Sequence, residues 1–334
     1  MKASEIIAQI KLRAAAQVKR PLHIVGSPGL GKTQIVAQAA RDLGIDFRAL
    51  HAPLMQPEDY GFPVVSADKA DVNFIVSKGK FPIEGSACAD KGILLIDELP
   101  QADTSGQKIL ANLIQEREIH GQRLKAGWLI VSTGNKATDR AGASRLLSHL
   151  NDRLTVINFD ASIQDWSAWA MAHNVPTELV SFLNFRPDLL NNFDANADKN
   201  ATPRSWVEGI GVMIGQVSAE AEYEIFKGDV GEGPAAEFCK FLRIFRTLPD
   251  VNLILLDPDK QAVPTDVATL FALCGALAHK TSADNFSRVM SYVKRMPPEF
   301  TVLYVKQVMS RDKKLAESKA FITWASTDGA KILI

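Results

Sequence analysis

The stretch with the clearest chemical potential is residues 26–33, which read Gly-Ser-Pro-Gly-Leu-Gly-Lys-Thr. They fit the pattern G-x-x-x-x-G-K-S/T, a loop whose backbone N–H groups close around phosphate oxygens. An apolar segment at 22–25 predicts a strand before the loop, and residues 34–41 predict a helix after it, whose N-terminus adds partial positive charge. The sequence therefore predicts a phosphate-binding loop, in which Lys32 reaches the β- and γ-phosphates and the Thr33 hydroxyl binds Mg²⁺. The predicted binding residues are Gly26, Ser27, Pro28, Gly29, Leu30, Gly31, Lys32 and Thr33.

Two neighbouring carboxylates follow another strongly apolar segment. Residues 93–96, Ile-Leu-Leu-Ile, are typical of a parallel strand buried on both faces, and Asp97 and Glu98 stand at its carboxyl end. Ligands of open α/β sheets bind at that edge. We expect Asp97 to join Thr33 in holding Mg²⁺ and Glu98 to polarise the water that attacks a nucleoside triphosphate. The alternative interpretation is that both acids cap a helix beginning near Pro100.

A polar side chain and three arginines complete the candidate chemistry. Asn135 comes two residues after the next predicted strand, residues 128–133, where it could bridge the attacking water and the γ-phosphate. Charge that develops on a transferred phosphoryl group calls for an arginine, often from a neighbouring subunit. Arg140, Arg145 and Arg153 lie between the fourth and fifth predicted strands. The residues alone do not choose among the three.

The elements that position these side chains predict an α/β fold with a parallel five-stranded sheet. Five apolar segments read as strands, and helices or long crossovers separate them, which favours a parallel sheet with helices on both faces. From near residue 160 onward the periodicity is helical. Thr202 and Pro203 start one of these helices and place Arg204 in its first turn. Residues 227–234, rich in glycine, read as a linker.

We therefore predict an α/β domain at residues 1–160 with inserts near 56–85 and 117–127. An all-helical lid at 161–226 and a helical C-terminal extension at 235–334 follow it. The 334-residue chain has 38 basic and 38 acidic residues, and this neutral balance argues against a protein built mainly to hold nucleic acid. Three scattered cysteines make a disulfide framework improbable, and the absence of a signal peptide or membrane-length apolar run predicts a cytoplasmic location.

Together these motifs resemble the AAA+ ATPases and, within them, the MoxR-like group. Residues 26–33 match Walker A, 93–98 match Walker B, 132–135 match the sensor 1 strand, and 202–206 resemble the sensor 2 signature. The segment at 56–63 resembles the opening of the family's insert in its second helix, and residues 117–127 resemble its pre-sensor hairpin.

The resemblance implies an ATPase that assembles as a homo-oligomeric ring, a hexamer in our interpretation. ATP would sit between the sheet domain and the lid. Arg153 would be the arginine finger supplied to the neighbouring subunit, although Leu154 stands where the family has phenylalanine. Arg204 would sense the γ-phosphate in its own subunit. Both inserts face the pore in family rings, which implies chaperone-like remodelling of a protein client, often with a partner that carries a von Willebrand factor A domain.

Two alternatives from other classes stay open at this point. One is a nucleic-acid motor or clamp-loader-like switch, which needs a basic pore or rim. The other is a nucleotide-binding scaffold with slow turnover, which needs a defect in Glu98 or in the arginine finger.

Overall fold

The structure, a computed structural model, describes residues 1–136, 139, 150, 152–327 and 329. Contacts divide the chain into two units. The first comprises Met1–Ala161 with Phe193–Ala195, and the second comprises Ser162–Asn192 with Asn196–Ile334. The subdivision of the helical part into a lid at 161–226 and an extension at 235–334 stays a prediction.

The first unit is built on a parallel sheet of five strands. These are β1 (Leu22–Val25), β2 (Asp46–His51), β5 (Lys91–Asp97), β8 (Gly127–Gly134) and β9 (Thr155–Asn158), and they lie in the order β2-β5-β8-β1-β9. The helices described in this unit are α1 (Ala3–Ala15), α2 (Lys32–Leu43), α3 (Pro57–Tyr60) and α4 (Thr104–Glu116), with 3₁₀ turns at Ala52–Leu54 and Leu99–Gln101. The predicted α/β class with a five-stranded parallel sheet and a helical continuation is confirmed.

Helices cover both faces of this sheet because successive strand residues point to opposite sides. Ile93 and Leu95 of β5 pack in one cluster with Ile6 of α1 and Val36 of α2. The alternate residues of β5 face a second cluster that contains Leu110, Leu113 and Ile114 of α4. A strand buried on both faces must be apolar throughout, which explains the uninterrupted Ile-Leu-Leu-Ile run.

Two antiparallel hairpins interrupt the unit where the sequence predicts inserts. Strands β3 (Phe62–Val65) and β4 (Val72–Ile75) form the first, and β6 (Glu118–Ile119) and β7 (Gln122–Arg123) form the second. The first departs from the carboxyl end of β2, and the second lies between α4 and β8. The second hairpin thus leads into β8 through a short connection, whereas a 3₁₀ turn and α3 separate the first hairpin from β2.

The second unit is helical. Its helices are α5 (Ile163–Ala172), α6 (Thr177–Phe185), α7 (Glu222–Val230), α8 (Glu232–Arg246), α9 (Val251–Leu256), α10 (Val267–Lys280), α11 (Phe286–Val293), α12 (Pro298–Arg311) and α13 (Lys319–Thr327), with a π-helical segment at Ser205–Gly211. Short 3₁₀ turns occur at Pro187–Leu189 and Lys313–Glu317. Trp166 lies with Trp206 in one apolar cluster, and a second cluster forms around α10, α11 and α12. Throughout the described residues, the structure contains no helix with the length and apolar character that a membrane span requires.

The predicted linker at 227–234 is wrong. The segment is the end of α7 and the start of α8, joined at the single residue Gly231. Gly231 has φ 88° and ψ 168°, a backbone conformation that only glycine adopts readily, so it turns the chain without a loop. Pro234 falls in the first turn of α8, where its missing N–H has no helical partner to lose. Glycine and proline here mark a tight helix junction.

Paired substitutions test this junction. Gly228 lies inside α7 with open space where an alanine Cβ would lie, so Gly228→Ala should raise the free energy of unfolding by about 0.5–1 kcal/mol. Gly231→Ala should lower it by about 1–3 kcal/mol because of its φ. Urea unfolding monitored by circular dichroism measures both values. A flexible linker would instead leave stability unchanged in both variants.

Candidate active site

The phosphate loop joins β1 to α2 in the conformation that its sequence predicts. Gly29 and Gly31 have φ 75° and 85°, which side chains of other residues tolerate poorly. Gly31 precedes Lys32, the first residue of α2, so the helix N-terminus opens directly onto the loop. At Gly26, a Cβ would lie 3.0 Å from the Phe159 backbone oxygen. Within the loop Ser27 and Leu30 are buried, whereas Pro28 is partly exposed.

Lys32 links this loop to the end of β8. Its buried Nζ donates hydrogen bonds to the backbone oxygens of Gly26 (2.7 Å) and Ser27 (2.9 Å). A third bond reaches the Asn135 Oδ1 at 2.9 Å. Asn135 is itself buried. The structure thus brings together the cation and the amide that the sequence assigned to the γ-phosphate.

Asp97 is the second residue that connects separate elements at the site. Its Oδ2 accepts a hydrogen bond from Thr33 Oγ1 at 2.8 Å, and its Oδ1 accepts one from Thr133 Oγ1. The Thr133 hydroxyl in turn accepts the backbone N–H of Glu98 at 2.9 Å, so its one donor and one of its acceptor sites are used. One carboxylate therefore connects the first turn of α2 with the carboxyl ends of β5 and β8.

Glu98 adopts a backbone conformation that is uncommon for a side-chain-bearing residue. Its φ is 55° and ψ 40°, in the left-handed region, and it is half-buried. Such conformations cost of order 1 kcal/mol and concentrate at functional sites. The 3₁₀ turn at Leu99–Gln101 follows it, but Glu98 makes no side-chain cap bond there, and Asp103 caps α4 through the Gly106 N–H. The interpretation of Asp97 and Glu98 as mere helix caps has no support from these contacts.

Of the predicted arginines, Arg153 lies away from this cluster, and Arg204 belongs to the second unit. Arg153 precedes β9, whose Thr155 pairs with Leu22 at the start of β1, whereas the phosphate loop follows the end of β1. The length of β1, about 10 Å at 3.3 Å per residue, separates these two sheet edges. Arg153 therefore lies at the edge opposite the phosphate loop of its own chain. Arg204 belongs to the second unit, where its Nε lies 3.9 Å from Glu208 Oε2. Arg140 and Arg145 lie outside the described residues.

Sequence reasoning missed the contribution of His51. This residue ends β2 and pairs in register with Asp97, and its Nδ1 lies 3.5 Å from Asp97 Oδ2. Strand direction indicates this position, because β2 and β5 run parallel and their carboxyl ends therefore share one edge of the sheet. Thr133 was noted only as part of a motif, and its role as the bridge between Asp97 and Glu98 needed the strand register.

His23 supports the site from inside the sheet. Its Nδ1 lies 2.9 Å from Ser132 Oγ, whose own hydrogen goes to the Leu22 backbone oxygen at 3.2 Å, so the imidazole donates from Nδ1. Burial, followed by the charge of Lys32, lowers the pKa of His23 to about 4. The ring is neutral near pH 7. It also packs against Gly134, where a Cβ would lie 3.0 Å from the imidazole, so it helps to position Asn135.

Part of the chain is similar to a known protein family. Residues 22–157 match the family model AAA, described as the ATPase family associated with various cellular activities. The matched range contains the phosphate loop, Asp97 and Asn135, and it supports ATPase activity in general. Among curated proteins, none matches the chain significantly. One solved structure, a "putative ATPase" from Cytophaga hutchinsonii, is 14% identical over 94% of this chain and 84% of that chain, with a TM-score of 0.35.

The buried histidine predicts a specific pH dependence. Unfolded His23 binds a proton near pH 6.5, but the folded chain binds it only near pH 4, so the stabilising contribution of the neutral His23 ring should be lost as pH drops between these values. The full loss is on the order of 3 kcal/mol. Urea titrations from pH 7.5 to 4 should show this loss in the native chain and in the exposed control His279→Gln, but not in His23→Gln. Parallel pH profiles for His23→Gln and the native chain would contradict the assignment.

Proposed function

We propose that this chain hydrolyses ATP as a ring-forming member of the MoxR-like AAA+ ATPases and uses the energy to remodel or assemble a protein client. One observation carries the proposal. Hydrogen bonds from Lys32 to Asn135 and from Thr33 to Asp97 unite the phosphate loop with the ends of two neighbouring strands. A glycine turn without a function would not need buried polar bonds of this kind to other elements.

The residues present fit a magnesium nucleotide. The Thr33 hydroxyl and the Asp97 carboxylate are hard oxygen donors, which Mg²⁺ prefers, and these two residues would hold the ion. When bound, Mg²⁺ neutralises charge on the β- and γ-phosphates. Loop N–H groups and Lys32 would bind the phosphates, and Asn135 would orient the attacking water. Glu98 would accept the proton of that water.

The position of Arg153 supports completion of the site by a neighbouring subunit. Because Arg153 lies at the sheet edge opposite its own phosphate loop, it suits stabilisation of a γ-phosphate held by another copy. A ring, which we propose to be a hexamer, repeats such an interface around its circumference. In this proposal Arg204 senses the γ-phosphate within its own subunit. The cytoplasmic location also stays a prediction.

The first hairpin provides a surface suited to a protein client. Both of its strands expose apolar side chains, with exposed fractions from 37% to 63%: Phe62, Val64, Val65, Val72, Phe74 and Ile75. Exposed apolar clusters of this kind typically bind proteins, whereas nucleic acid requires basic surface. We extend the proposal to a partner protein that carries a von Willebrand factor A domain and works with the ATPase on the client, as the MoxR-like resemblance implies.

The two hairpins contact each other. The rings of Phe74 and His120 stack with centroids 4.1 Å apart and planes 7° from parallel, and Gln122 Nε2 donates to the Phe74 backbone oxygen at 2.9 Å. The second hairpin leads into β8, which ends beside Asn135. This contact offers a physical route by which nucleotide-dependent movement of β8 would reach a client on the first hairpin.

A mixing experiment tests hydrolysis and assembly together. Arg153→Ala should lower the rate of phosphate release by about 10³-fold while ATP still binds, and Lys32→Ala should abolish ATP binding. Equimolar mixtures should recover activity, because some interfaces then combine an intact loop with an intact arginine. Arg41→Ala, an exposed arginine on α2, serves as the control and should retain native activity. Failure of every mixture to exceed the sum of its components would contradict a finger acting between subunits.

A second experiment tests the client surface. Ile75→Ser should reduce stimulation of ATP hydrolysis by an unfolded protein, such as casein, by about fivefold, because it removes an apolar contact of roughly 1 kcal/mol. Basal hydrolysis should stay unchanged. Val18→Ser, which alters another exposed apolar residue outside the hairpin, is the control. Stimulation by single-stranded DNA in place of protein would contradict the proposed client class.

A further inference from the structure

The helical unit contains a cavity that has no part in the proposed ATPase site. Its volume is about 740 Å³, within the range of ligand-binding pockets. It runs between α5 and α12, and we refer to it as the α5–α12 groove. Six aliphatic, aromatic or sulphur-containing side chains, all half-buried, provide most of its apolar wall: Ile163, Met171, Phe271, Val302, Leu303 and Met309.

Gln307 is the unusual member of this wall. Its side chain is 4% exposed, yet neither the amide nitrogen nor the amide oxygen has a hydrogen-bond partner in the described part of the chain. Asn184 on the same wall differs, because its Nδ2 donates to Ser167 Oγ at 3.0 Å and to the Val180 backbone oxygen at 2.8 Å. Buried polar groups nearly always have partners. A ligand that carries a hydrogen-bond donor next to an acceptor would provide partners for both the amide oxygen and the amide nitrogen of Gln307.

The charged residues of the groove lie nearer to its two ends, with the acidic residue at one end and the basic residues towards the other. Glu299 lies in the first turn of α12, whereas Lys306 lies two turns further on and Lys313 lies just beyond the helix. All three are exposed. From residue 299 to 310 the helix rises about 17 Å, which equals about five residues of extended chain. An elongated ligand with a cationic end and an anionic end would match this distribution of charge.

We propose that the α5–α12 groove binds an extended peptide segment of a partner protein, with aliphatic side chains between a basic and an acidic residue. A residue in extended conformation directs its own N–H and C=O to the same side, so one peptide residue can pair with both groups of the Gln307 amide. The basic residue faces Glu299, and the acidic residue faces Lys306 and Lys313.

The competing ligand class is a nucleotide, whose base edge can also pair with an amide. The wall of aliphatic, methionine and phenylalanine side chains and the opposite charges at its ends favour the peptide. This inference does not rest on the proposed ATPase function, because every residue that carries it belongs to the second unit. Its test needs no nucleotide.

Fluorescence anisotropy on the full chain provides the test. The probes are two labelled hexapeptides, each with four leucine or valine residues between an aspartate and a lysine, in the two possible orders. At least one should bind with a Kd of about 10 μM, a value typical of short-peptide recognition by grooves. Gln307→Leu, of similar volume, should weaken binding about tenfold. N-methylation of the paired peptide residue should weaken binding to the native chain by a similar factor and have no further effect on Gln307→Leu.

Two wall variants complete the design. Ala168→Trp adds bulk at an exposed position of the wall and should abolish binding, whereas Ala219→Trp, exposed in the same unit but outside the groove, should leave the Kd unchanged. Absence of binding by both peptides, or a native Kd for Gln307→Leu, would overturn the proposal. Displacement of the peptide by micromolar adenosine monophosphate would assign the groove to a nucleotide and overturn it as well.

Discussion

The hydrogen-bonded carboxylate of Asp97 is the contact on which the rest of the site depends. It receives the hydroxyls of Thr33 and Thr133, which belong to the helix after the phosphate loop and to the neighbouring strand. These bonds require β5 to lie beside β8 in register, with Ile96 opposite Ser132, so that both strands end at one edge. The apolar interior of the sheet secures that register, because a slip by one residue would turn each strand's side chains to the wrong face. The packing of the apolar core therefore determines where the polar side chains of the site come together.

The edge of the sheet that carries these site residues is also connected to the two exposed hairpins. β2 ends with His51 beside Asp97 and continues into the segment that forms the first hairpin. β8 receives the second hairpin at its start and ends beside Asn135, which Lys32 contacts. A change in the contacts of Asp97 or Asn135 therefore acts on strands that are covalently continuous with both hairpins. The stacked Phe74–His120 pair joins the two hairpins, so they would respond together.

Patterns of local sequence predicted the strands of the sheet, the phosphate loop and the convergence of Lys32, Asp97 and Asn135. They succeeded because buried parallel strands need continuous apolar runs and because carboxyl ends of such strands share an edge. Local patterns failed at Gly231, where one glycine conformation joins two helices that composition alone presented as a linker. The bridge through Thr133, and the Gln307 amide that has no partner among the described residues, depend on strand register and helix packing, which no single segment encodes. The roles of Arg153 and Arg204 stay predictions.

The most direct test of the central claim is the effect of Mg²⁺ on ATP affinity, measured by calorimetry on the native chain and on Asp97→Asn. If Asp97 and Thr33 together hold the ion, the native chain should bind ATP at least about tenfold more tightly with Mg²⁺ than with a chelator, and Asp97→Asn should lose this gain while still binding ATP through the loop. Lack of ATP binding by the native chain would contradict the account. An undiminished effect of Mg²⁺ in Asp97→Asn would contradict it equally.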